Sequence, residues 1–318
     1  MMQQLGQCFN ENRKRRTFIK SLIEYKGLLL FVLPGFIVVL INNYLPMLGV
    51  IMAFKRVDNT LGILKSPFVG LDNFKFLFMT DAFRITRNTV LYNLVGIFIG
   101  LLLNLIIAIT INELLNKFLA RVYQTVIILP YFLSFVVIGY IVYAFLSPVH
   151  GFVNFSILPL LGMDKISWYT EPIYWIFILP LVNFWVYCGM ESVIYLAAIT
   201  GIDETLYESA VIDGANKRQQ IVHITLPMLT PVMIVLTLLG LGKIFRGNFG
   251  LFYQVPLSNA ALFPVTDVID TYVYRSLVTM PDFGMVTAAS VYQSVVGCIM
   301  LIAANMLVKR ISPQDAIF

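Results

Sequence analysis

Glu191 stands inside an apolar stretch, Ile173 to Ile199, where a carboxylate is out of place. A charge at the centre of a lipid-embedded helix costs about 2.5–3.5 kcal/mol or more, so such a group faces a cavity or a partner. On the same stretch lie Asn183, Trp185, Tyr187 and Ser192, a mix of aromatic faces and hydrogen-bonding polar groups that could line a solute path. Helix packing and interfacial anchoring use the same residue types, so that alternative stands beside it. Glu191 has two readings of its own. It touches the solute or a gate, or it pairs with another membrane chain or snorkels toward water; the residue pattern favours the pair.

Other reactive residues form no constellation. His150 and His223 are the only histidines and lie far apart in loops. Cys8, Cys188 and Cys298 have no ligand or disulfide spacing, and the latter two read as small core hydrophobes. No metal site and no catalytic residue follow from these types. Asp267 and Asp270 lie close in sequence, but a transferase would need more clustered carboxylates or histidines near a membrane face. Gly242-Lys243 is followed by Ile244 and lacks the upstream glycine of a phosphate-binding loop, so the chain carries no ATP site of its own.

The segment Thr200 to Pro227 is organised differently. Asp203 is a helix N-cap, and Leu206 with Ala210, and Tyr207 with Val211, pair at i, i+4 on adjoining faces. Asp213-Gly214 ends that helix with a turn signal, and a second short helix starts near Asn216 and runs toward Pro227. Two stubby helices with small and apolar faces can seat in a groove on a partner. They can equally lie on a membrane surface.

The elements that position these residues are membrane helices. Hydrophobic residues make up 59% of 318 positions and charged ones 12%, against about a quarter charged in soluble domains. Apolar runs span Gly27 to Phe54, Asn88 to Ile111, Val122 to Leu146, Ile173 to Ile199, Ile224 to Leu241 and Met285 to Val308. Each is long enough, at about 1.5 Å per residue, to cross about 30 Å of hydrocarbon as a helix. The first run exceeds the about 7–15 residues of a signal-peptide core and is read as a retained span. The expectation is therefore an all-α integral membrane protein of six transmembrane helices, with a basic tail 1–26 and a membrane domain 27–318. Arg13, Lys14, Arg15, Arg16, Lys20 and Lys26 before the first span favour a cytoplasmic N-terminus, and six spans return the C-terminus to the same side. The whole-chain bias, 12 Lys+Arg inside against 10 outside, is weak. The net charge of +5 reflects membrane orientation, not nucleic-acid binding.

The order Glu208-Ser209-Ala210, Asp213-Gly214-Ala215, Ile224-Thr225-Leu226-Pro227 closely resembles the coupling-loop signature of ABC importer permeases. That signature is Glu-Ala-Ala, a glycine about seven residues after its first position in sugar-type members, and Ile-x-Leu-Pro further on. Ser209 replaces the usual middle alanine, and Ile221 stands where an aromatic is frequent. Further stretches resemble the subgroup of carbohydrate permeases that serves complex oligosaccharides and polysaccharide fragments. These are Phe68 to Phe74 with Phe83 and Asn88-Thr89, Gly247 to Arg275, and the ending Ile311 to Phe318.

The resemblance implies a type I importer bundle with a cytoplasmic coupling loop, 200–227, in a bacterial plasma membrane. It also implies a second homologous permease, two ATP-binding cassette subunits that use ATP and Mg, and an extracellular sugar-binding lipoprotein. Leu206, Tyr207 and Ala210 are expected to fill the ATPase groove, Gly214 to allow the turn, and Glu208 or Asp213 to meet a basic partner residue. Position relative to the loop points to Asn183 and Tyr187, then Gly240 and Lys243, as sugar contacts. A charged sugar fits Lys243, Arg246 and Arg275 around one external loop, and a solvated loop face explains them equally well. A permease for a non-sugar solute, or a membrane-bound transferase, is the alternative.

Overall fold

The computed structural model describes residues 25–311, 313 and 316, apart from 59, 79, 280 and 281. The basic cluster Arg13 to Lys20, Cys8 and most of the Ile311 to Phe318 ending lie outside the described residues. Among the described residues every regular element is helical, and the β-contact is an isolated antiparallel bridge between Lys55 and Phe68. Five helices are long and apolar enough to cross a membrane: Lys26–Phe54, Ala82–Asn112, Pro172–Thr200, Lys217–Gly242 and Phe283–Arg310. A bent pair, Lys117–Phe132 with Phe135–Leu146, makes up to a sixth.

The chain divides into two compact units, ending at Met52 and beginning at Ala53. The first contains helix α1, Lys26–Val39, in which no side chain is buried within the chain. Leu30 and Phe31 are among its most exposed residues, as expected of a helix whose surroundings are lipid or another protein.

The second unit is built on α2 (Thr80–Asn112) and α5 (Pro172–Thr200). Tyr92 meets Trp175, Gly96 meets Asn183 and Asn104 meets Glu191, so the two helices run parallel. Between them lie α3 (Lys117–Ile128) and α4 (Phe135–Leu146), which meet at 102°. The apolar run Val122 to Leu146, read from sequence as one straight span, is thus broken. Pro130 cannot continue the hydrogen-bond ladder, and Ser134, in extended conformation, accepts from the Val137 N–H at 3.3 Å to start a new helix. Gly189 on α5 lets the break pack closely: a β-carbon there would strike the Ile127 carbonyl. Gly139 on α4 does the same against the Gln254 carbonyl, 2.7 Å from where a β-carbon would stand.

After α5 come α6 (Glu204–Ile212), α7 (Lys217–Gln220) and α8 (Leu226–Gly242), then α9 (Phe249–Gln254), α10 (Phe263–Thr266), α11 (Ile269–Thr279) and α12 (Phe283–Ile311). A π turn, Ile221–Thr225, joins α7 to α8. The second stubby helix expected from sequence is therefore the first stretch of the Lys217–Gly242 span. The same device recurs before each Leu-Pro pair at 45–46, 158–159 and 226–227. The leucine N–H bonds the carbonyl five residues back, on Leu40, Val153 and Ile221. A proline ring crowds the carbonyl four residues before it, and widening the turn relieves that clash.

The main apolar core joins α4, α5 and α9 through Ile138, Val142, Trp175, Leu179, Val182, Leu251 and Phe252. A smaller cluster, Leu105, Ala108, Tyr195, Ile199 and Leu229, closes α2, α5 and α8 at the end that carries α6.

Candidate functional site

A cavity of about 560 Å³ opens between α2, α5, α8 and the turn after α8. Its walls include Asn93, Asn104, Asn183, Tyr187, Glu191 and Gly240. At one end stand Lys243 and Arg246, both exposed. Of the residues singled out in sequence for the solute path, Asn183, Tyr187, Glu191, Gly240 and Lys243 meet here. Trp185 does not; it lies on a partly exposed face away from the lining.

Two small residues make the room. At Gly100 a β-carbon would stand 3.3 Å from Glu191 Oε2 and 3.4 Å from Asn104 Nδ2, and at Gly240 it would stand 3.0 Å from Ile97. Glu191 sits opposite Gly100 and accepts from the Asn104 amide. The described residues thus give Glu191 a partner within its own chain, while it also faces the cavity. Asn104 was invisible to sequence reasoning because nothing local distinguishes it from any polar residue in an apolar helix. It is buried, and its Oδ1 has no hydrogen-bond partner among the described residues.

Tyr187 is held from two sides. Asn248 Nδ2 donates to its hydroxyl at 3.0 Å, and the Tyr131 ring lies edge-on at 5.8 Å. An oriented aromatic beside amides, a carboxylate and an ammonium offers stacking and hydroxyl recognition together.

The three cations Lys243, Arg246 and Arg275 separate. Lys243 and Arg246 face the cavity, but Arg275 is bound to Asp267 by two hydrogen bonds, 3.0 and 2.7 Å, and lies over the Phe263 ring. Arg84 also approaches Asp267, at 3.7 Å, and Thr271 donates to it at 2.9 Å. Asp267 thus ties Arg275 within the 263–279 excursion and meets α2 through Arg84 and through Asn88, which donates to its carbonyl at 3.0 Å. Among the described residues no group of His, Cys, Asp or Glu has metal-binding geometry.

The segment after α5 is a second candidate surface. Asp203 caps α6 by accepting from the Thr205 N–H at 3.0 Å, which holds its carboxyl below the usual aspartate range. Gly214 ends the helix at φ +79°, and the Ala215 N–H reaches the Ala210 carbonyl at 2.8 Å, a Schellman closure. Asn216 and Gln219 form a capping box at the start of α7. Tyr207 turns inward, its hydroxyl 2.9 Å from Thr225 Oγ1, whereas Leu206, Glu208, Ser209 and Asp213 are exposed. A shallow cavity of about 290 Å³ is lined by Ala210, Asp213, Gly214, Ala215 and Ile224, among others. Leu226 and Pro227 lie at the start of α8. Ile212, 85% exposed, and Val211 are the most solvent-facing apolar residues of α6. Sequence reading did not name Ile212, since the helix face it shares becomes clear only once Tyr207 is seen to point inward.

A bundle of apolar helices around a cavity into which amides, a carboxylate and two cations are set, with a capped helical protrusion between two spans, defines a solute-translocating membrane subunit. Residues 94–313 match the family described as binding-protein-dependent transport system inner membrane component, and the chain belongs to that family. It is an ABC-type transport component, not an enzyme, of the kind that works in the membrane with a solute-binding protein and ATPase partners. The chain is 33% identical to Protein LplB of Bacillus subtilis (strain 168), over 95% of this chain and 94% of that one. It is 34% identical to the polygalacturonan/rhamnogalacturonan transport system permease protein YteP of the same strain, over 96% and 94%. A crystal structure of a bacterial ABC transporter involved in the import of the acidic polysaccharide alginate contains a chain of the same fold. There the TM-score is 0.83 at 33% identity, covering 92% of this chain and 98% of that one.

Proposed function

We propose that this chain is one half of the translocation path of an ABC importer for oligosaccharides that carry carboxylate groups. The observation that carries the reading is the cavity itself. An oriented tyrosine and several amides line it, and two cations, Lys243 and Arg246, stand at one end. Aromatic and amide groups suit sugar faces and hydroxyls, and Arg and Lys suit carboxylates. The relatives that transport polygalacturonan/rhamnogalacturonan and alginate, both acidic, support the same direction.

In this reading both termini are cytoplasmic, and the 200–227 segment meets an ATP-binding cassette subunit. A second homologous permease encloses the other side of the path. Two ATPase subunits use ATP and Mg, and an extracellular lipoprotein delivers the sugar. The exposed edge of α6, Leu206, Val211 and Ile212, enters the ATPase groove, with Glu208 and Asp213 at its rim. Movement of that edge passes through the Tyr207–Thr225 contact into α8, which walls the cavity at Gly240. Closure of the ATPases therefore rocks the span as a rigid body.

The test is gentle purification of the tagged chain from its native membrane, identification of what accompanies it, and reconstituted uptake with the binding protein. Recovery of a second permease and an ATPase, with ATP-dependent uptake of galacturonate or mannuronate oligomers, is the expected result. Recovery of the partners with uptake of neutral oligomers alone would remove the acidic substrate. Isolation of the chain without any ATPase would remove the coupling scheme.

A further inference from the structure

The turn that carries Lys243 and Arg246 has no regular structure of its own, yet side chains of other elements bond three of its carbonyls and one of its N–H groups. Asn93 Nδ2 on α2 donates to the Ile244 and Arg246 carbonyls at 3.1 and 3.0 Å. Gln293 Nε2 on α12 donates to the Phe245 carbonyl at 2.8 Å and to Asp270 Oδ2 at 3.0 Å. The same Asp270 oxygen accepts from the Gly247 N–H. Beyond the turn, Asn248 caps α9 and reaches Tyr187. Side chains from three helices thus fix a turn of about six residues whose members Lys243, Arg246, Gly247 and Asn248 line the cavity.

Asp270 does not line the cavity, and it is the one charged member of this clamp. Gly247 must be glycine for the carboxylate to reach its N–H: a β-carbon there would stand 2.7 Å from Val268 Cγ2 and 2.9 Å from Asp270 Oδ2. We propose that Asp270 is a positioning residue for the path: it holds the 243–248 turn so that Lys243 and Arg246 face the cavity ready for an anionic sugar. The proposal rests on the reading of those cations as substrate contacts. It assigns Asp270 no contact with substrate. The carboxylate acts through two hydrogen bonds accepted by one oxygen.

The experiment uses the intact transporter with its partners, and two variants, Asp270→Ala and Asp270→Asn. The asparagine oxygen can accept both hydrogen bonds, so it keeps the geometry while removing the charge. Two readouts are taken: amide exchange of the 243–248 peptide, and the KM and maximal rate of galacturonate-oligomer uptake. Asp270→Ala is expected to speed exchange in the turn. It should also raise KM about tenfold, the effect of misplacing one charge-assisted contact, with basal ATP hydrolysis unchanged. Asp270→Asn should restore both. In an Arg246→Gln background, Asp270→Ala should add little, because its effect runs through that cation.

Unchanged exchange in Asp270→Ala would overturn the clamp. Faster exchange with unchanged KM would overturn the link to substrate, and with it the reading of the cations. An asparagine variant as impaired as alanine would also overturn the proposal, since charge and not hydrogen-bond geometry would then be at work. Should the alanine variant fail to assemble, Gln293→Met removes two bonds of the same clamp and must show the same pair of effects.

Discussion

Replacing Arg275 by methionine isolates the buried carboxylate of Asp267. The Asp267 side chain has no solvent exposure, while the Arg275 side chain keeps 27% and Arg84 33%. Removing one partner of a buried pair costs about 3–5 kcal/mol, because the remaining charge is stranded. Arg84 remains at 3.7 Å and Thr271 at 2.9 Å, so the cost should fall near about 3 kcal/mol, the lower end of that range. The double variant Asp267→Asn with Arg275→Met removes the stranded charge and should recover at least about 1 kcal/mol of the loss. The assay is thermal or denaturant unfolding of the detergent-solubilised chain, followed by tryptophan fluorescence and arranged as a double-mutant cycle. A single variant that loses less than about 1 kcal/mol, or two losses that simply add, would refute the view that this ion pair holds the 263–279 excursion together.

Further expectations follow from the same geometry. Gly214→Val places a β-branched residue at φ +79°, a conformation that costs about 1–2 kcal/mol, and should reduce recovery of the ATPase partner on purification while leaving the chain in the membrane. Gly100→Val should displace the Glu191–Asn104 pair into the cavity and abolish uptake without loss of assembly, as read by uptake and gel filtration in parallel. Burial pushes the Asp270 carboxyl above the ordinary aspartate range, against the Gly247 N–H, the Gln293 amide and the Arg246 charge. The folded state therefore holds that proton more tightly than the unfolded chain, and stability from this group falls as pH rises through the shifted range. Asp270→Asn should accordingly be at least as stable as wild type at neutral pH, with the difference shrinking on acidification; a destabilised variant at neutral pH would contradict this sign.

Much of the molecule was legible in the sequence. The apolar runs marked the spans because lipid leaves a helix no alternative partner for its backbone. Asp203, Asp213-Gly214 and Asn216 marked the helix ends after α5 because caps and left-handed turns are decided by one or two local residues. Asn183, Tyr187, Glu191, Gly240 and Lys243 were singled out by residue type and position, and they line one cavity. Trp185 followed the same reasoning and lies elsewhere, because a helix has several faces and an all-apolar span does not reveal which one is inward.

What only the tertiary structure decided is how distant polar groups are spent. The broken span at Pro130 and Ser134 depends on the glycine at 189 that lets it pack, more than fifty positions away in sequence. Asn104 became the partner of Glu191, Asp267 took Arg275 out of the solute path, and Asp270 met Gly247 across 23 residues. Local sequence fixes where a helix starts, stops and turns. Which polar side chain satisfies which buried group is a long-range matter, set by how the helices pack once water is gone.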